Sequence, residues 1–192
     1  MARVATQVLE RPSRAAEWAK QAGIVIGASL VVALCARLTV PLPFTPVPLT
    51  MQNFGVLLVA LLLGSRRGLA ALVLYLIEGA SGLPVFNPAG LGGIKQILGP
   101  TGGFLMAYPL VAFATGWIYE RTSRRIAWAA LAGTAGELIL FAGGLGWLFA
   151  QTHSVSQAFK WGLYWFVFAE VIKIALAAGF AARWNRNLRA KS

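Results

Sequence analysis

Aspartate is absent from this 192-residue chain, and histidine and cysteine occur once each, as His153 and Cys35. The six acidic residues are all glutamates, and they are scattered along the chain. Phosphoryl transfer gathers carboxylates around magnesium, whereas zinc sites and catalytic triads use clustered histidine or cysteine. These absences argue against ATP hydrolysis by this chain, a metal centre, a histidine-based triad and an internal disulfide. We therefore expect no enzymatic activity, no catalytic residues and no cofactor.

Charged residues are also scarce, at 12% of the chain, whereas a soluble domain carries about a quarter. Hydrophobic residues make up 58%, and the mean hydropathy is +0.68. The net charge of +11 comes from basic residues at the ends of apolar runs, not from one clustered face. That placement is typical of membrane topology and of contact with anionic lipid, and not of nucleic-acid binding. The composition predicts a polytopic protein embedded in the lipid bilayer.

The apolar runs predict an all-α integral membrane protein with six transmembrane helices, at about 22–38, 50–64, 68–79, 101–119, 126–149 and 158–182. Placing the N-terminus in the cytoplasm puts 13 of the 17 basic residues inside, as the positive-inside rule requires. We therefore expect both termini in the cytoplasm. The predicted domains are a cytoplasmic segment at 1–20, a membrane substrate-binding domain at 21–183 and a basic tail at 184–192.

The stretch 79–104 contains eight glycines and three prolines in 26 residues, so it cannot be one regular helix. Its other residues are mainly apolar, and its main polar side chains are Asn87 and Lys95. Non-helical backbone at membrane depth is tolerated only where protein covers it or where it lines a cavity. We expect a re-entrant-like external loop between helices 3 and 4 that covers a ligand cavity.

Two ionisable residues, Glu170 and Lys173, lie inside the last apolar run and share a helix face because they are three apart. Ionisable groups at mid-depth cost several kcal/mol unless partners or water meet them, so they are candidates for ligand contact. The alternative is a structural ion pair within the helix. Glu137 is a further deep charge, and we interpret it as structural. The implied ligand is small and partly apolar, with amide-like donors and an anionic group.

Proline- and glycine-rich blocks follow one another in a fixed order after residue 20. They are Pro41-Leu42-Pro43, Thr45-Pro46-Val47-Pro48, Gln52, Gly82-Leu83-Pro84-Val85-Phe86 and Gly99-Pro100-Thr101-Gly102-Gly103-Phe104. Their order and spacing resemble the BioY family, the biotin-specific substrate-binding (S) components of energy-coupling factor (ECF) transporters. The resemblance extends over nearly the whole chain after residue 20.

The resemblance implies biotin as the ligand, held beneath the loops that join helices 1–2 and 3–4. In the family, the asparagine after the GLPVF block and an acid and a lysine three apart on helix 6 contact the ligand. These positions are Asn87, Glu170 and Lys173 here. Our hypothesis gives Asn87 and Glu170 to the ureido end and leaves Lys173 and Lys95 as alternatives for the carboxylate. The predicted substrate-binding set is Asn87, Glu170, Lys173, Lys95, Phe86 and Gln52.

The family's helix 6 pattern is close to PFLPGDLLK, whereas this chain reads WFVFAEVIK at 165–173. Because both prolines and the glycine are absent, we expect helix 6 to begin earlier and to run straighter. The resemblance also implies partners, a membrane coupling protein and ATPase subunits, in a bacterial cytoplasmic membrane. The predicted docking face is a stripe of small residues on helix 1, formed by Gly23, Gly27, Ser29 and Ala33.

Three other functions agree with parts of the sequence. An S component for another vitamin, such as lipoate, thiamin or riboflavin, has the same architecture, but the biotin-like blocks argue against it. A membrane-embedded enzyme would use Glu137 or Glu170 as acid or base, although the sequence offers no nucleophile beside a base. A structural or assembly protein without a ligand would leave the 79–104 loop collapsed.

Overall fold

The structure, a computed structural model, describes residues 13–189. Its elements are α1 (Arg14–Arg37), β1 (Thr39–Val40), β2 (Leu49–Thr50), α2 (Gln52–Ala80), α3 (Gly93–Leu98), α4 (Gly102–Glu120), α5 (Ile126–Thr152), α6 (Val155–Gly162) and α7 (Val167–Arg189). The helix α1 begins earlier than expected because Ser13 Oγ accepts a hydrogen bond from the Ala16 backbone N–H and caps the helix. The predictions for residues 1–12 and 190–192 lie outside the described residues.

Four of the described helices, α1, α2, α4 and α5, are long and apolar enough to cross a membrane. The bent pair of α6 and α7 is a fifth candidate span when the two helices are taken together. The chain is therefore a predominantly helical, multi-pass membrane protein. The two short strands pair antiparallel, with Thr39 opposite Thr50, and close the proline-rich loop 41–48.

The helix α2 reverses its direction at Gly64, where the second of the predicted helices, 50–64, ends. Gly64 has φ +81° and ψ −177°, a backbone conformation that favours glycine. Gln52 Nε2 donates to Tyr75 Oη at 2.9 Å, although the two residues are 23 apart in the chain. A straight helix would separate them by about 35 Å. We therefore divide α2 into a first arm, 52–63, and a second arm, 65–80, which lie side by side.

Glu120, at the end of α4, fastens this turn. Its carboxylate accepts hydrogen bonds from the Ser65 backbone N–H at 3.0 Å and from Ser65 Oγ at 2.7 Å. Gly116, one helical turn earlier, allows the close approach, because a Cβ there would lie 2.5 Å from the Ser65 nitrogen. Since α4 packs against both α2 and α5, the turn fixes the arms of α2 relative to the rest of the bundle.

The last two helices, α6 and α7, are bent by 46° around residues 163–166, so the prediction of a straighter helix 6 is wrong. In a continuous helix the Trp161 carbonyl would accept from the backbone N–H four residues later. Here that carbonyl accepts from Thr45 Oγ1 at 2.7 Å. Phe166 packs with Val47 in a small hydrophobic cluster. Contacts with the proline-rich loop therefore stabilise the bend, which directly follows Gly162, the last residue of α6.

The segment 79–104 is irregular apart from α3, and hydrogen bonds hold it against two helices. Tyr75 Oη, on α2, donates to the Val85 carbonyl at 2.9 Å. Trp147 Nε1, on α5, donates to the Gly99 carbonyl at 2.9 Å. The segment is thus attached near both of its ends, which gives its side chains defined positions.

The small residues of α1 lie in two different environments. Gly23 and Gly27 are exposed, and a Cβ at either would meet no described atom within 4 Å. Ser29 is fully buried, and its hydroxyl donates to both Glu78 carboxylate oxygens, at 3.0 and 3.1 Å. Ala33 is also buried. The predicted docking face is therefore divided, because Ser29 and Ala33 pack inside the bundle.

Candidate ligand-binding cavity

A cavity lies among the proline-rich loop, the first arm of α2, the 79–104 segment, α4, α5 and α7. Small-molecule sites in proteins are concave and mostly apolar with a few convergent polar groups, and the lining of this cavity has that character. The side chains around it are Val47, Pro48, Thr50, Gln52, Asn53, Asn87, Thr101, Phe104, Leu105, Tyr108, Leu140, Phe141, Phe166, Glu170 and Lys173. They divide into an aromatic wall and a polar end.

The aromatic wall consists of Phe104, Phe141 and Phe166, with Leu140 beside them. Phe104 reaches its place because α5 has a glycine opposite its ring, where a Cβ at Gly144 would lie 2.1 Å from the nearest ring atom. Aromatic rings bury a large apolar area with few rotatable bonds. This wall suits the hydrophobic body of a small ligand.

The polar end is built around Glu170 and Lys173 on α7. Lys173 Nζ lies 2.6 Å from Glu170 Oε1, and the two side chains are 6% and 7% exposed. Asn53 Nδ2 donates to Glu170 Oε2 at 2.7 Å, so each carboxylate oxygen has a donor. A buried ion pair of this kind needs such additional hydrogen bonds to offset its desolvation. The ion pair considered as a structural alternative therefore exists, and it lines the cavity at the same time.

Glu137 on α5 joins this group through Asn53, whose Nδ2 also donates to Glu137 Oε1. Glu137 is 5% exposed and lies behind the residues that line the cavity. Its contact links α5 to the first arm of α2, as a structural role requires. The same contact also connects Glu137 to the polar end of the cavity.

Asn87 is positioned by a chain of hydrogen bonds that begins at Gln52. Gln52 Nε2 donates to Tyr75 Oη, which donates to the Val85 carbonyl, both at 2.9 Å. Asn87 follows two residues later, is 4% exposed, and its Oδ1 has no hydrogen-bond partner within residues 13–189. A buried acceptor left unpaired costs about 1–3 kcal/mol. Asn87 Oδ1 is therefore an acceptor available to a ligand.

The structure brings Asn87, Gln52, Glu170 and Lys173 to one cavity, and Lys95 and Phe86 do not line it. Lys95 is exposed on α3, away from the described residues that line the cavity. Phe86 is buried and packs edge-on against Tyr75, with ring centroids 5.4 Å apart. The structure thus gives Phe86 a packing role, in which it holds the segment that carries Asn87.

The sequence analysis missed Asn53 and Tyr108, both of which line the cavity. Asn53 follows Gln52 directly, so two amide side chains begin an otherwise apolar helix. Polar residues in a membrane helix are candidates for a functional site, and this pair was a usable signal. Tyr108 stands alone among apolar residues of α4 and offers no comparable pattern.

A buried charge pair, several amide side chains and an aromatic wall, enclosed among membrane-spanning helices, define a membrane protein that binds a small molecule. The BioY family model matches residues 7–190, and the chain belongs to the BioY family. The resemblance inferred from the proline- and glycine-rich blocks is thereby confirmed.

Two relatives illustrate the relationship. The chain is 38% identical over 147 residues to the biotin transporter BioY of Thermotoga maritima. The aligned region covers 77% of this chain and 86% of that protein. It is 39% identical over 143 residues to the probable biotin transporter BioY of Pyrococcus horikoshii, with coverage of 74% and 83%. The family and these relatives are transporters, which confirms the expectation that the chain is not an enzyme.

A crystal structure at 2.1 Å of the S-component for biotin from an ECF-type ABC transporter has the same fold. The TM-score is 0.80 at 23% sequence identity, and the match covers 92% of this chain and 95% of the other. The agreement extends over nearly all of the chain, so the arrangement of helices around the cavity is that of a known membrane fold.

Proposed function

We propose that this protein captures biotin with high affinity and supports its uptake across a bacterial cytoplasmic membrane, as the S component of an ECF-type transporter. The names of its relatives support biotin as the substrate. The observation that carries the proposal is the cavity itself, whose lining combines Asn87 and the Glu170–Lys173 pair with the aromatic wall. Biotin has a polar ureido ring and an apolar body, which match these two parts.

The ureido ring lies between Asn87 and the Glu170–Lys173 pair in this proposal. Glu170 and Lys173 are 2.6 Å apart, so both meet the same end of a ligand. A ureido group offers N–H donors and a carbonyl acceptor, and it suits a carboxylate beside an ammonium. A ligand carboxylate at the same place would be repelled by Glu170. The ureido end is therefore assigned to this pair.

This assignment changes the expectation for the biotin carboxylate. The ureido ring and the carboxylate stand at opposite ends of biotin, so Lys173 cannot meet both. Lys173 then donates to the ureido carbonyl, and the carboxylate extends towards the far end of the cavity. Lys95, the alternative cation, is exposed and does not line the cavity. We expect its replacement to change biotin affinity little.

The proposal includes a topology and partners. Counting the two arms of α2 separately and α6 with α7 as one span gives six transmembrane segments, within a membrane domain over 21–183. Both termini, with the segment 1–20 and the tail 184–192, lie in the cytoplasm, and the 79–104 segment lies outside. A membrane coupling protein driven by ATPase subunits then reorients the S component, docking at a face of α1 that includes Gly23 and Gly27.

The experiment is a comparison of vitamins on the purified, detergent-solubilised protein by isothermal titration. We expect biotin to bind tightly, and lipoate, thiamin and riboflavin to bind at least a hundredfold more weakly. Replacing Asn87 with alanine removes the available amide acceptor and is expected to weaken biotin binding roughly tenfold or more. Tight binding of another vitamin in place of biotin would keep the S-component architecture but refute the substrate.

A further inference from the structure

Asn53 connects three helices at the polar end of the cavity. It stands near the start of α2 and is 3% exposed, and it contributes to the cavity lining. Its Nδ2 donates to Glu170 Oε2 on α7 at 2.7 Å and to Glu137 Oε1 on α5. An amide nitrogen carries two hydrogens, one for each of these carboxylates.

The two carboxylates determine which way the Asn53 amide is turned. In the reverse orientation, the amide oxygen would face two carboxylates, which are acceptors like itself. The oxygen Oδ1 is therefore directed away from Glu137 and Glu170. It is buried, and in the part of the chain that the structure describes it has no hydrogen-bond partner.

Unlike Asn53 Oδ1, both carboxylate oxygens of Glu170 already accept a hydrogen bond from a protein donor. Lys173 Nζ donates to Oε1 at 2.6 Å, and Asn53 Nδ2 donates to Oε2 at 2.7 Å. The cavity-lining amides Asn53 and Asn87 each have a buried Oδ1 that meets no donor among residues 13–189. The residues that line the cavity thus include two neutral acceptors without a donor and one cation, Lys173.

We propose that Asn53 Oδ1 and Asn87 Oδ1 accept the two N–H groups of the ligand's ureido ring, with Glu137 as the positioning residue that holds Asn53. The proposal rests on the function proposed above and makes it more specific. Lys173 donates to the ureido carbonyl between the two N–H groups. Glu170 then acts on the ureido end indirectly, through Lys173 and Asn53, whose polar atoms it holds in place. This replaces the direct contact between its carboxylate and the ureido group that the pairing with Lys173 alone would suggest.

The arrangement predicts selectivity for a cyclic urea with both nitrogens unsubstituted. A ligand that lacks one N–H leaves a buried amide oxygen without a donor, and such a mismatch is strongly discriminated against. A neutral acceptor also selects ligands differently from a carboxylate, because it does not attract a cationic group of the ligand. Asn53 is therefore a residue that determines specificity in this proposal.

The test combines variants of the protein with variants of the ligand. Biotin and its two ureido N-methyl isomers are titrated into the purified full-length wild type and into Asn53→Leu. The double variant Asn53→Leu/Glu137→Leu is included because Asn53→Leu leaves two carboxylates without their shared donor and can impair folding. Size-exclusion elution and thermal unfolding show which variants are folded.

We expect the folded variant to bind biotin roughly five- to a hundredfold more weakly, the loss of one hydrogen bond to a buried acceptor. For the N-methyl isomer that lacks the N–H facing Asn53, wild type and variant should differ less than about threefold. The other isomer should lose affinity as biotin does. Equal losses for biotin and both isomers would mean that Asn53 is merely structural, and unchanged biotin affinity would also refute the proposal.

Glu137 is tested by conservative rescue. Glu137→Gln keeps an oxygen that can accept from Asn53 Nδ2 and is expected to bind biotin within about threefold of wild type. Glu137→Leu removes that acceptor and is expected to lose affinity for biotin more than for the N-methyl isomer that does not use Asn53. Equal affinities of Glu137→Gln and Glu137→Leu for biotin would refute the positioning role of Glu137. If wild type itself does not bind biotin, the proposed function fails, whereas loss of the ligand-specific pattern alone refutes only this inference.

Discussion

At the scale of single residues, the cavity separates polar atoms that are bonded within the protein from those offered to a ligand. Lys173 donates a hydrogen bond to one carboxylate oxygen of Glu170, and Asn53 donates to the other. Asn87 Oδ1, by contrast, stays without a donor within the described range 13–189. Water is scarce at membrane depth, so a buried acceptor of this kind is costly unless a ligand pairs with it.

Tyr75 allows the position of Asn87 to be tested at a residue that does not itself line the cavity. Tyr75→Phe removes the hydroxyl that joins Gln52 to the Val85 carbonyl. We expect a loss of about 1–3 kcal/mol in unfolding free energy, because buried polar groups lose their partner. Biotin affinity should fall several-fold as residues 85–87 loosen, measured by titration of the purified variant.

The matched control is Tyr164→Phe, since Tyr164 is 66% exposed and lies outside the cavity lining. It should leave both unfolding and biotin binding unchanged. If Tyr75→Phe behaves like this control, the hydrogen-bond chain from Gln52 does not position Asn87.

Sequence spacing finds some of these residues and misses others for a physical reason. Glu170 and Lys173 are three apart on one helix, so their pairing follows from helix geometry alone. Asn53 and Glu170 are 117 residues apart, and their contact depends on how α2 packs against α7. Lys95 and Phe86 belong to the right segment, but the turns within that segment decide which side chains reach the cavity. Those turns are not periodic, so spacing does not predict them.

At the scale of elements, the two breaks in the helical bundle have different origins. The break in α2 was predicted, because the basic turn Ser65-Arg66-Arg67 separates two apolar runs, and Gly64 provides the non-helical backbone there. The break between α6 and α7 was not predicted, because it depends on Thr45 binding the Trp161 carbonyl from a distant loop. A local sequence signal therefore predicts one break, and a tertiary contact produces the other.

Gly64 should be among the least replaceable residues of the fold. Its φ is +81°, and a Cβ there would lie 1.8 Å from a Glu120 carboxylate oxygen. We expect Gly64→Ala to destabilise the protein by about 2–4 kcal/mol, from backbone strain together with the steric clash. Thermal unfolding in detergent measures the loss.

Gly146→Ala is the control, because Gly146 lies within α5 and a Cβ there would meet no described atom within 4 Å. Alanine in an open helical position is expected to be neutral or slightly stabilising. Equal melting temperatures for Gly64→Ala and wild type would contradict the assignment of the turn.

At the scale of the whole molecule, the proposed topology places the 79–104 segment outside and the loop between α4 and α5 in the cytoplasm. The basic residues around that loop, Arg121, Arg124 and Arg125, are exposed, as the positive-inside rule leads us to expect of a cytoplasmic loop. The multi-pass membrane class and the family were accessible from the sequence, because hydropathy and the order of short motifs can both be read along the chain. The orientation is a prediction that labelling can test.

Single cysteines measure this orientation. With Cys35 replaced by alanine, cysteines are introduced separately at Leu91, which is 76% exposed, and at Ser123, which is also exposed. We expect a membrane-impermeant maleimide to label Leu91→Cys in intact cells and Ser123→Cys only after the membrane is opened. The reverse labelling pattern would mean that the chain is inserted with the opposite orientation, so that the 79–104 segment faces the cytoplasm.

The most direct measurement of the central claim is equilibrium binding of radiolabelled biotin to purified wild type, Lys173→Ala and Lys95→Ala. The two variants remove the same charge, one at the polar end of the cavity and one on exposed α3. We predict tight binding by wild type and Lys95→Ala, and a loss of at least tenfold in Lys173→Ala. No binding by wild type, or equal affinity in Lys173→Ala and wild type with both proteins folded, would contradict biotin capture at this cavity.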